Sequence, residues 1–129
     1  MKTYWDSSAL VEAVTNAPLL RRLQSERAVT RPHTLTEVFS ALTGNPHTRI
    51  TADNAAAIIE HLSRSLDFTE ITAPETLKAL KTARQKGVRG GRVHDYLHAV
   101  AAKKSGAKKI LTLDQNDFSD ITSLPVEQA

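Results

Sequence analysis

Asp6, Glu37, Asp95, Asp114 and Asp117 are the residues of this 129-residue chain whose type and placement suit catalysis. Asp6 closes the extended run KTYW. Glu37 stands near the start of an apolar helical stripe, Asp95 opens the stripe before KKILTLD, Asp114 ends that run and Asp117 follows three residues on. Taken singly, each is accounted for as a helix cap or a first-turn acid favoured by the helix dipole. Thr34 and Glu37 also carry the spacing of a capping box. Taken together they pose an electrostatic problem, because four close carboxylates cost several kcal/mol unless cations bind or some groups protonate. A hard divalent cation answers it, and an all-oxygen donor set suits Mg²⁺ or Mn²⁺. Such an ion lowers the pKa of the water it holds, and a second ion ~3.5–4 Å away stabilises the leaving oxygen of an in-line displacement at phosphorus. No side-chain nucleophile is then required.

The elements that must bring these acids together alternate along the chain. Residues 2–5 read as a strand, and SSALVEAV places Ala9, Leu10, Ala13 and Val14 on one helical face. PLLRRLQSE at 18–26 reads as a second helix and RAVTR at 27–31 as a strand. HTLTEVFSALTG carries Leu35, Val38, Phe39 and Leu42 at helical spacing, with Gly44 as its stop. ADNAAAIIEHLSRSL predicts a helix over 52–66 capped by Thr51, and DFTEIT a strand over 67–72. Thr72, Pro74 and Glu75 announce a helix that Gly87 closes, and a further stripe runs through Val93, Tyr96, Leu97 and Val100 to Gly106. KKILTLD is the plainest strand. ITSLPVE is a weak last one, whose Pro125 suits an edge. Alternation of this kind predicts parallel pairing through right-handed crossovers, a three-layer α/β/α sandwich with a mostly parallel central sheet. Ligands of such sheets bind beyond the strand C-termini, where strand order reverses, and the five acids fall at that edge.

Composition bounds the rest. The length suits one domain over residues 1–129, able to bury roughly two thirds of its unfolded surface. The chain has no cysteine, which removes disulfides, thiol catalysis and thiolate-bound zinc together. MKTYWD has no signal-peptide apolar region and no apolar run is long enough for a bilayer, so a soluble cytoplasmic protein without membrane contact is expected. Seventeen Lys and Arg against fourteen Asp and Glu give a formal charge of +3 and a pI near 9.4, a mild bias towards an anionic partner. Lys86, Arg89 and Arg92 surround Gly90-Gly91 just before Asp95, and read either as a flexible phosphate-gripping segment or as a solvated basic helix end. Lys103, Lys104, Lys108 and Lys109 fall towards the opposite edge and read as solubility charges. Tyr4 and Trp5 read as core residues.

Asp6-Ser7-Ser8 after a short first strand, Thr36-Glu37-Val38 in an apolar helix, Asp95 in HDYLHAVAAKKSGA and LTLDQNDF at 111–118 together resemble the PIN domain, especially the VapC toxin nucleases. The resemblance covers nearly the whole chain in order and spacing. It implies a magnesium-dependent ribonuclease leaving a 5′-phosphate and a 3′-hydroxyl. Asp6, Glu37, Asp95 and Asp114 match the family's metal-binding acidic quartet, and Ser8 and Thr112 match its supporting polar positions. Relatives place the last acid at either the 114 or the 117 position, and this chain has both Asp114 and Asp117. The resemblance further implies a homodimer neutralised by a small antitoxin protein.

Three other readings compete. HDYLH sets His94 and His98 at i, i+4, one residue from the zinc-protease signature, but it lacks an obvious third ligand and leaves the acids without work. Without a metal the two histidines read as exposed or half-buried helix residues. A receiver-like phosphoacceptor domain should show paired acids after the first strand and an acceptor Asp after the third. This chain has Asp-Ser-Ser and FTEIT. A PIN-fold RNA-processing nuclease, or an RNA-binding domain without turnover, keeps the architecture and changes the role.

Overall fold

The computed structural model describes residues 1–47 and 49–129. Five strands, β1 (Lys2–Trp5), β2 (Arg27–Thr30), β3 (Leu66–Phe68), β4 (Lys109–Thr112) and β5 (Val126–Gln128), form one all-parallel sheet in the order β3-β2-β1-β4-β5. Strand order therefore reverses between β1 and β4, whose C-terminal ends bound the crevice predicted for a ligand. A receiver-like sheet would instead run 2-1-3-4-5, so the topology removes that alternative.

Helices cover both faces. On one side lie α1 (Ser7–Thr15), α2 (Ala17–Ser25), α3 (Pro32–Gly44) and α4 (Ala52–Ser63); on the other lie α5 (Ala73–Thr82) and α6 (Arg92–Ser105), followed by the single turn α7 (Gln115–Phe118). Strand pleating sorts side chains between two cores. Trp5, Ala28 and Leu111 point to the first helical layer, while Tyr4, Val29 and Ile110, each one residue away, point to the second. Burial on both faces explains why these strands read as short continuous apolar runs. Tyr4 and Trp5 are fully buried, as expected. Trp5 still satisfies its ring N–H, which donates to Glu26 Oε1 at 2.8 Å.

Several boundaries differ from expectation, each for a local reason. Pro32 occupies the first turn of α3, so the helix starts two residues before Thr34 and has Arg31, which makes no side-chain cap, as its N-cap. Thr34 is consequently no capping-box residue; its hydroxyl accepts from that of Thr30 at 2.8 Å. The helix predicted over 52–66 stops at Ser63, and Leu66 already belongs to β3. That strand ends at Phe68, because Thr72 is taken by a complete capping box with Glu75 that starts α5. A 3₁₀ turn at Ala83–Lys86 extends α5 to Gly87, whose φ of 67° is the left-handed stop glycine supplies. The last strand is 126–128 rather than 121–127; Ile121 packs in the second core, and Pro125 precedes an edge strand and lends its carbonyl to Ile110 N–H. The turn α7 was not anticipated. Among the described residues no helix is long and apolar enough to cross a membrane.

Candidate functional site

Asp6 is the first residue past β1 and does two jobs. Its backbone N–H donates to Leu111 O, continuing the β1–β4 ladder, and its carboxylate caps α1. Asp6 Oδ1 accepts from Ser8 Oγ at 2.7 Å and Ala9 N–H at 2.9 Å, while Oδ2 accepts from Thr112 Oγ1 at 2.5 Å. The two hydroxyls accept in turn: Ser8 Oγ from Leu113 N–H at 2.9 Å and Thr112 Oγ1 from Asp114 N–H at 3.0 Å. Ser8 and Thr112 thus stitch β1 to the end of β4 and fix Asp6 at the reversal point. Burial pushes the Asp6 carboxyl above its ordinary range, against the pull of its three donors. The capping reading of Asp6 is met: its side chain is the N-cap of α1.

Asp95 enters from the first turn of α6. Burial pushes its carboxyl up to about 6; the charges of Asp117, Asp6 and Glu37 push the same way, and that of His98 opposes them. The acids that act on Asp95 come from three other places in the chain: Asp6 just past β1, Glu37 on α3 and Asp117 in α7. Asp114 is the N-cap position of α7 and Asp117 lies within that turn, its N–H donating to Asp114 O at 2.9 Å. Both are exposed, and the Asp117 charge is among those acting on Asp95.

Glu37 is held by a histidine that the sequence reads as an exposed or half-buried helix residue. His98 is 2 % exposed, and its Nε2 lies 2.7 Å from Glu37 Oε1 while Nδ1 lies 2.7 Å from the Tyr4 hydroxyl. A carboxylate only accepts, so Nε2 carries a proton and donates to Glu37. Burial raises the Tyr4 phenol, which keeps its hydroxyl protonated beside Nδ1. For Glu37, burial pushes up, but the hydrogen bond and charge of His98, followed by the charges of His33 and His94, bring it below its ordinary value. With both ring nitrogens of His98 engaged, His94 and His98 form no shared zinc pair. The signal for the Tyr4–His98–Glu37 chain was available only as a histidine on the apolar stripe of α6, one turn after His94.

The basic candidates separate. Lys86 and Arg89 are exposed. Arg92 is spoken for: its Nη2 donates to Asp120 Oδ1 at 2.7 Å and to Asp117 O at 3.1 Å, bracing the α7 turn against the start of α6. Lys104 and Lys109, at the far end, are ion-paired with Glu75 and Glu127, both at 2.6 Å.

A five-stranded all-parallel sheet in the order β3-β2-β1-β4-β5 with helices on both faces is an α/β/α fold of the PIN kind. The sequence matches the PIN domain family over residues 3–124, and the chain belongs to that family. Solved structures agree on the fold. VapBC-1 from nontypeable Haemophilus influenzae is similar with a TM-score of 0.72 at 19% identity, covering 99% of this chain and 98% of that one. VapBC2 from Rickettsia felis, bound to a DNA fragment from its promoter, gives 0.71 at 15% identity, with 99% and 98% covered. VapC20 from Mycobacterium tuberculosis, a Sarcin-Ricin loop cleaving toxin, gives 0.65 at 22% identity, with 89% and 92% covered. No curated protein matches the sequence.

Proposed function

We propose that the chain is a single PIN-like domain acting as a metal-dependent endoribonuclease, the toxin of a toxin–antitoxin pair. The observation that carries this reading is the PIN-domain match over residues 3–124 with Asp6, the acid past β1, held by Ser8 and Thr112 where strand order reverses; the raised Asp95 carboxyl supports it. The donors fit the Mg²⁺ or Mn²⁺ that PIN nucleases generally use: all are carboxylate oxygens, and their crowding is relieved by a hard dication. Asp6, Glu37 and Asp95 would hold it, with the fourth ligand from the α7 turn; the action of Asp117 on Asp95 favours Asp117 over Asp114. When bound, the ion supplies an activated water and charge stabilisation at the scissile phosphate.

The chain's own residues supply the geometry. Ser8 and Thr112 hold the Asp6 carboxylate in one orientation, and His98 does the same for Glu37, so neither acid has to reorganise as charge develops. Lys86 and Arg89 are the basic side chains proposed to meet RNA phosphates, while Arg92 steadies the turn that carries Asp114 and Asp117. The VapBC relatives support a small antitoxin as partner. Two apolar depressions, one lined by Val14, Leu20, Ile58 and Leu62 and one by Leu35, Phe39 and Ile59, support protein contacts, including a homodimer. A cytoplasmic location follows from an RNA substrate.

The test is RNA cleavage by purified protein with Mg²⁺ or Mn²⁺, with chelator and zinc controls, alongside induction of the gene in bacteria. Cleavage that needs the ion, with growth arrest that Asp6→Asn abolishes, is the expected result. Cleavage without growth arrest would transfer the protein to RNA processing. Activity surviving thorough chelation would end the metal-nuclease reading.

A further inference from the structure

Beside the acid group, and facing solvent, stands a cluster of different chemistry. His33 and Glu37 lie four residues apart on α3 and so share one helical face. His94, in the first turn of α6, comes from the opposite side of the crevice. One ring nitrogen from each histidine and one Glu37 oxygen all lie within 4.8 Å of one another. Both rings are exposed, and the three residues line an open cleft together with Ser7, Thr36 and Ser40.

We propose that His33, Glu37 and His94 bind a borderline divalent cation of the zinc class, at a site separate from the all-oxygen acid group except for the shared Glu37. Two imidazoles and a carboxylate are a nitrogen-rich set that selects Zn²⁺, Co²⁺ or Ni²⁺ and is poorly suited to Mg²⁺. A tetrahedral ion about 2.0–2.2 Å from each donor brings the donors to about 3.4 Å apart. The remaining closure of about an ångström falls on two exposed rings free to change rotamer. Glu37 is the preorganised member, since His98 already holds one of its oxygens and fixes the plane of the carboxylate. Three protein ligands leave a fourth position open to the cleft.

One consequence rests on the nuclease reading above: an ion held here takes Glu37 away from the acid group, so zinc inhibits magnesium-supported cleavage.

The site itself is tested without RNA. Chelator-treated protein is titrated with Co²⁺ and its visible absorption followed. The expected result is one equivalent of nitrogen-ligated Co²⁺, at least tenfold weaker in His33→Ala/His94→Ala and retained in Asp95→Asn. His33→Gln/His94→Gln serves as the second variant should the alanine form melt early. Equal Co²⁺ binding by wild type and both histidine variants would overturn the proposal, because the ion would then sit on the acids alone. In RNA cleavage at saturating Mg²⁺, the histidine variants should tolerate at least tenfold more Zn²⁺ than wild type. Identical inhibition curves would overturn the coupling. Should no protein cleave RNA with Mg²⁺ or Mn²⁺, the nuclease reading fails, while the Co²⁺ titration still decides the site.

Discussion

The two ends of the sheet treat the same kind of residue in opposite ways. Where the strands begin, acids are paired with cations: Glu127 accepts from Arg22 and Lys109, Glu26 from the same Arg22, and Glu75 from Lys104. The Lys104 hydrogen bond holds the Glu75 carboxyl at about 2, and that of Arg22 holds Glu127 at about 2. Where the strands end, burial first and the charges of Asp117, Asp6 and Glu37 after it take Asp95 to about 6. The first group is neutralised by the chain itself, while a carboxyl raised in this way is the kind of group that clusters at functional sites.

The comparison breaks most visibly at Asp95. Asp95→Asn should cut RNA cleavage by at least a thousandfold, roughly 4 kcal/mol of transition-state stabilisation, in a single-turnover assay. The same change should make the metal-free protein more stable. The Asp95 carboxyl binds its proton more tightly folded than unfolded, between its ordinary 3.8 and about 6. Stability of the metal-free wild type should therefore fall as pH rises through that window and stay low above it. After discounting for solvent screening, the loss is about 1 kcal/mol, or roughly 3–5 °C in Tm. Thermal melts at pH 4.5 and 7.5 should show that slope in wild type and a flatter one in the variant. Magnesium should raise the wild-type Tm more than the variant's at pH 7.5. Lower stability of Asp95→Asn at pH 7.5, with no shift from magnesium in either protein, would make Asp95 a plain helix-start acid.

His98→Ala sharpens the comparison, since it removes the buried side chain that holds Glu37. Loss of the side chain leaves a cavity and an unsatisfied Tyr4 hydroxyl, a cost of about 2–4 kcal/mol in urea denaturation. Cleavage by the folded fraction should fall more than tenfold, because Glu37 is no longer oriented. A variant as stable as wild type would show that the Tyr4–His98–Glu37 chain is dispensable. The smallest effect belongs to the opposite end: Lys104→Met removes an exposed ion pair and should leave both the urea midpoint and cleavage unchanged within experimental error.

The architecture was legible because parallel strands buried on both faces leave apolar runs, and because caps such as Thr51 and the Thr72–Glu75 box announce helices locally. The position of Asp6 at the strand-order reversal was legible for a topological reason: it directly follows the central strand β1, which borders β4 there. What escaped was decided across the chain. Thr34 and Glu37 satisfy the capping-box spacing, yet Pro32 starts the helix earlier and their side chains go to Thr30 and His98. Nothing local in HDYLH says which histidine turns inward; the register of α6 against β1 and β2 decides it. Arg92 likewise reads as a free phosphate-gripping cation until Asp120 is brought beside it.

The hydroxyl contacts around Asp6 tie residue 8 to residue 113 and residue 6 to residue 112, separations of 105 and 106 along the chain. Ser8 and Ala9 can therefore reach Asp6 Oδ1 as soon as α1 forms, whereas the Thr112 donor to Oδ2 arrives only once β4 has paired with β1. One oxygen of the same carboxylate is thus set early by its sequence neighbours and the other late, by the far end of the fold.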